Sequence, residues 1–121
     1  MFDFEKLDVY QKTLKLNQQI FALLKANSAI DDFLKDQIKR ASSSILANIA
    51  EGAGRFNSTD KKRFYIISRG SAYESIALLS LVYKTCSITP AYSEAEFRIE
   101  LHEIVRMLYG MIKNTSDRPF R

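Results

Sequence analysis

A chain of 121 residues, 46% hydrophobic and 26% charged, fits one globular domain and has the composition of neither a disordered nor a membrane-spanning protein. Four Gly and two Pro are too few for the turns of a sandwich or barrel. One Cys and one His exclude an internal disulfide, a multi-Cys zinc site and a His-rich metal cluster, so no metal or cofactor is expected.

Hydrophobic periodicity is helical throughout. The first segment runs from about Lys6 to Ala26, where Leu7, Tyr10, Leu14, Phe21 and Leu24 keep a spacing of three or four. The second runs from about Asp31 to Ala53 on the stripe Leu34, Ile38, Ala41, Ile45 and Ile49. Asn27 and Ser28 are candidate N-caps before it, and Gly52 and Gly54 are candidate stops. The third runs from about Asp60 to Thr85, with Asn57, Ser58 or Thr59 as cap. The fourth runs from about Glu94 to Asn114 and opens on the capping box Ser93-x-x-Glu96. Short connections make sequential helices antiparallel neighbours. The expected fold is all-α, an up-down-up-down four-helix bundle over residues 1–114, followed by a flexible tail over 115–121.

The formal net charge is +4, which permits nucleic-acid binding without requiring it. The excess sits mainly in residues 58–90, with five basic residues (Lys61, Lys62, Arg63, Arg69, Lys84) against two acidic ones (Asp60, Glu74). The N-terminus, Met1-Phe2-Asp3-Phe4-Glu5-Lys6, carries charges where a secretory signal needs an apolar run. No apolar stretch is long enough to cross a bilayer. A cytoplasmic location without a membrane partner is the expectation.

Two features exceed what a bare bundle needs. The third segment is apolar nearly all round: Phe64, Ile67, Leu78 and Leu81 form one stripe, Ile66, Gly70, Tyr73 and Ala77 a second, and Tyr65, Ile76 and Tyr83 a third side. No helix of a four-helix bundle is central, so part of this surface is expected to meet another subunit. Tyr65, Ile66, Tyr73, Ile76 and Tyr83 are the candidate interface. The second feature is a set of polar residues beside or within the apolar stripes: Gln37, Arg40, Ser44, Asn48 and Glu51, then Ser71 and Glu74. Arg40, Asn48, Glu51, Ser71 and Glu74 are read as a structural hydrogen-bonded network that specifies packing. Tyr65, Tyr73 and Tyr83 could alternatively stack on bases, but packing with a wetted hydroxyl is the simpler role.

The phrase Asn48-Ile49-Ala50-Glu51-Gly52, followed by Gly70-Ser71-Ala72-Tyr73-Glu74, resembles a known family signature. Leu7-x-Val9-x-Gln11-Lys12 and Gln37-x-x-x-Arg40-Ala41-x-Ser43-Ser44-Ile45 match upstream, and Arg63-Phe64 and Ile67-Ser68 between. The chain resembles the four-helix bundle proteins encoded by intervening sequences in bacterial large-subunit (23S) ribosomal RNA genes. The accessory proteins of diversity-generating retroelements are similar to that group. The resemblance spans about Phe4 to Ile112. It implies a ring-like homo-pentamer in a bacterial cytoplasm. In the retroelement branch it implies an accessory to a reverse transcriptase that binds RNA or DNA through basic surface. Arg55, Lys61, Lys62, Arg63 and Arg69 are the candidate nucleic-acid-binding residues. The alternative is a protein-interaction scaffold that binds no nucleic acid.

An enzyme is the least supported reading, and no catalytic residue is assigned. Helical di-iron sites need Glu-x-x-His pairs, yet Ile99 stands three residues before His102. Helical ribonucleases with an Arg and a His separated by at least four residues are approached by Arg98-x-x-x-His102, one residue short. Cys86 has no second Cys or His motif to activate it.

Overall fold

A computed structural model describes residues 1–116. A short 3₁₀ helix, Asp3–Lys6, precedes α1 (Asp8–Ala26), α2 (Asp32–Ala53), α3 (Ser58–Thr85) and α4 (Glu94–Asn114). Each helix packs against its sequence neighbours, and α1 also packs against α4, so the four close into one bundle. Among the described residues there is no strand. The expected tail, beyond Ser116, lies outside the described residues.

The core is the set of inward stripes. Leu16, Ile20, Leu23 and Leu24 come from α1, Ile38, Ile45 and Ile49 from α2, Leu79 and Val82 from α3, and Leu101, Ile104 and Leu108 from α4. Full burial of each such side chain contributes about 1.5–3 kcal/mol relative to exposure. No helix is long and apolar enough to cross a membrane.

The caps differ in part from the sequence reading. Asp31 starts α2, its Oδ2 accepting from the backbone N–H of Phe33 at 2.9 Å and of Leu34 at 3.3 Å. Asn27, expected to cap α2, is buried at the end of α1 instead. Its Nδ2 donates to Leu23 O at 2.9 Å and to Thr89 Oγ1 at 3.1 Å, while its Oδ1 accepts from Thr89 N at 3.1 Å. One amide thus joins the α1–α2 and α3–α4 connections at the same end of the bundle. Asn57 caps α3 and Ser93 caps α4, as their spacing predicts. Gly52 is not a helix stop, since α2 runs through it to Ala53; Gly54, the other candidate, is the C-cap, and neither has a positive φ.

Between α1 and α4, Lys12 Nζ lies 2.8 Å from Glu100 and 3.1 Å from Glu103. The hydrogen bond to Glu100 leads the effects that raise the Lys12 pKa above its ordinary 10.5, against a smaller opposing effect of burial. A cation whose pKa is raised on folding stabilises the fold fully below its unfolded pKa, and that contribution disappears as pH rises through the folded value. Replacing Lys12 by Met is expected to cost about 1 kcal/mol at neutral pH. The difference from wild type should vanish well above pH 10.5, as read from urea midpoints across that range.

Candidate functional site

The signature residues lie where α2 and α3 pack together. The buried face of α3 follows the third side of the sequence reading, where Tyr65 is buried and Ile76 and Tyr83 are half-buried, but is built mostly of small residues. It is Tyr65, Ser68, Ser71, Ala72, Ser75, Leu79 and Val82. Periodicity alone assigns serines to water, yet small serines allow close helix approach when their hydroxyls find carbonyls. Ser68 Oγ donates to Ile45 O across the seam at 2.8 Å, and Ser75 Oγ donates to Ser71 O at 2.8 Å. On the other side of α2, Asn17 Nδ2 donates to Ser42 O at 3.0 Å.

The expected polar network forms only in part. Ser44 Oγ and Ser71 Oγ share a hydrogen bond of 2.8 Å, and Asn48 Nδ2 donates to Ser44 O at 2.8 Å and to Ser44 Oγ at 3.0 Å. Asn48 and Ser71 therefore meet through Ser44. Glu51 does not join them: it is exposed and takes Arg55 Nη2 at 2.7 Å. Arg40 and Glu74 are exposed as well. Burying a carboxylate is expensive, and the fold leaves these charges in water. Gly52 is buried against α3: a Cβ there would stand 2.6 Å from Tyr65 Cε1 and 2.9 Å from Tyr65 Cδ1. Glycine at this position admits the Tyr65 ring.

That contact corrects the interface set. Tyr65 is 4% exposed and belongs to the core, where burial raises its pKa. Tyr83 is half-buried, donates to Tyr92 O at 3.1 Å, and has its pKa pushed up to about 12, first by burial and then by Glu94 and Glu96. Ile76 is half-buried against the core. Ile66 (56% exposed) and Tyr73 (52%) do face outward, with Ile67 and Leu81. Gly70 and Ala77 continue their face, and a Cβ added at Gly70 would meet nothing within 4 Å.

The basic candidates separate into two places. Arg55 and Arg63 hold the Phe64 ring between them, at 4.7 Å and 5.2 Å from its centroid. Lys61 Nζ donates to Ser116 O at 3.4 Å, and Lys62 beside it is half-buried. Arg69 lies on the opposite edge of α3, its guanidinium 5.1 Å from the Tyr73 ring and 5.9 Å from the Tyr109 ring of α4. Sequence reading missed Tyr109, because only the pairing of α3 with α4 brings it to Arg69. Among the described residues no cluster of His, Cys, Asp and Glu could hold a metal ion. Cys86 is half-buried, with its Sγ 3.9 Å from Ala29 O. A cleft of about 790 Å³ between α1 and α4, lined by Gln11, Lys15, Gln18, Tyr92 and Glu96 among others, includes none of the sequence-predicted site residues.

Comparison with known proteins places the chain. A family profile described as 23S rRNA-intervening sequence protein matches residues 5–110. A crystal structure of a protein with unknown function from the S23 ribosomal protein family of Bacteroides thetaiotaomicron VPI-5482 is similar, with a TM-score of 0.79 and 28% identity. The match covers 88% of this chain and 96% of that one. No curated protein matches. The chain belongs to the 23S rRNA-intervening sequence protein family.

The two glycines of the signature are expected to respond oppositely. Gly52→Ala must push the Tyr65 ring aside and should cost about 1–3 kcal/mol. Gly70→Ala adds a methyl in open space and should stabilise the folded protomer by up to about 1 kcal/mol through helix propensity. Chemical denaturation of both variants at low protein concentration measures the pair.

Proposed function

We propose that this member of the 23S rRNA-intervening sequence protein family is a non-catalytic bundle that assembles with copies of itself and binds nucleic acid on the assembled surface. The outer face of α3 carries the reading. Ile66, more than half exposed, and Leu81 lie there with Gly70 and Ala77, and Tyr73 stands at the edge of this face toward α4. An apolar face of this kind, opposite the buried seam of the same helix, marks a contact surface. A helix-interior glycine costs about 1 kcal/mol relative to Ala, and nothing within the protomer requires Gly70. Its use is outside the protomer, where it lets another backbone approach.

The second half of the reading rests on charge and on repetition. One protomer carries +4. The five-membered ring implied by the family resemblance would carry five times that, and phosphate contacts from repeated weak patches reinforce one another. Arg69 against the Tyr73 and Tyr109 rings gives the surface both a phosphate partner and aromatic faces. A cytoplasmic accessory protein that serves a nucleic-acid enzyme such as a reverse transcriptase fits these properties.

Light scattering tests the assembly. Wild type should have a mass several times 13.9 kDa. The double variant Ile66→Glu, Ala77→Glu should fall to one protomer with its helical circular dichroism intact. Fluorescence anisotropy tests the binding: affinity for RNA or DNA should drop steeply with salt. A multimer that binds neither, even at low salt, and captures a protein instead would select the scaffold alternative.

A further inference from the structure

Resting on the nucleic-acid reading, we infer that the seam between α3 and α4 is the binding surface and that its ligand is an unpaired strand. Arg69 of α3 sits between the rings of Tyr73 and Tyr109. Each ring is more than half exposed: 52% for Tyr73 and 56% for Tyr109. The guanidinium covers one side of the rings and leaves the rest to solvent. Tyr73 Oη accepts from Arg69 Nη2 at 3.3 Å, which holds the pair together. Two open aromatic surfaces on neighbouring helices, with a cation between them, form a stacking platform for bases. Bases in a duplex hide their faces, so a platform of this kind selects unpaired nucleotides.

The charge along the seam has one sign. Arg106 precedes Tyr109 by three residues and Lys113 follows it by four, so both share its side of α4, and both are exposed. Lys62 lies seven residues before Arg69 on the same side of α3. The bond from Lys61 to Ser116 O sets that end of α3 beside the end of α4. From Lys62 to Tyr73, α3 has no acidic residue. From His102 to Lys113, α4 has only Glu103, and that side chain turns to α1 and binds Lys12. Lys62, Arg106 and Lys113 are therefore placed to take phosphates while Tyr73 and Tyr109 take bases. The α2–α3 corner is a poorer choice: Arg55 there is already paired with Glu51, and its ring, Phe64, is half-buried where Tyr73 and Tyr109 are exposed.

The test is anisotropy of a labelled uridine-rich single strand, in ribose and deoxyribose forms, with a duplex of matched length beside it. Wild type should prefer the single strand, and preference between the two sugars reports whether the 2′-hydroxyl is read. Tyr109→Leu, which lies off the outer face of α3, should weaken single-strand binding roughly tenfold while leaving the mass by light scattering unchanged. Arg106→Gln with Lys113→Gln should lower the slope of log affinity against log salt by about 1.4, two phosphates at about 0.7 each. Arg55→Gln with Arg63→Gln should leave the single-strand affinity unchanged. Strand binding lost in the corner variant and kept in the seam variants would overturn this assignment and leave the nucleic-acid reading intact. So would a wild-type preference for the duplex. No binding by wild type at low salt would overturn both.

Discussion

The close approach of α2 and α3 is the constraint on which the rest of the bundle depends. Three contacts define it: the Tyr65 ring against Gly52, Ser68 bonded to Ile45 O, and Ser44 bonded to Ser71. Each requires a residue smaller than leucine at the seam. Leucine at Ser68 or Ser71 would overfill the seam and force the two helices apart. The buried hydroxyls are tolerated because each has a partner: Ser68 and Ser75 donate to backbone carbonyls, and Ser71 pairs with the Ser44 hydroxyl.

This packing turns much of the bulky apolar surface of α3 outward. With serines and Ala72 facing inward, the bulky residues Ile66, Ile67, Tyr73 and Leu81 are carried to the surface. A seam made of larger side chains would have used those residues as its core. The same rotation sets Arg69 at the edge shared with α4, where it meets Tyr109. The outer apolar face and the cationic seam therefore follow from one choice of small residues at the α2–α3 contact.

Much of this was legible in the sequence. The four helices follow from the three-and-four spacing of residues such as Ile38, Ile45 and Ile49, and their ends fall within a few residues of those expected. Asn57 and Ser93 announce their helices by local chemistry that needs no tertiary context. The site was less legible. Tyr65 and Tyr73 are both aromatic residues in one helix, and only the notch at Gly52 decides that the first is inside and the second outside. Glu51 and Glu74 share the spacing of Asn48 and Ser71, yet charge keeps them wet while the neutral groups pair. Asn27 carries a helix-cap signature and is spent instead on Thr89, sixty-two residues away. Tyr109 has no local mark at all. In each case the deciding partner lies on another helix or loop.

The seam side of α3 and its outer side are made of different residues. Ser68, Ser71, Ala72 and Ser75 hold the protomer together; Ile66, Gly70, Tyr73 and Ala77 take no part in that packing. Drift on one side is thus nearly invisible to the other. A lineage could exchange what it docks against by changing a handful of codons on the outer side, without passing through an unstable fold.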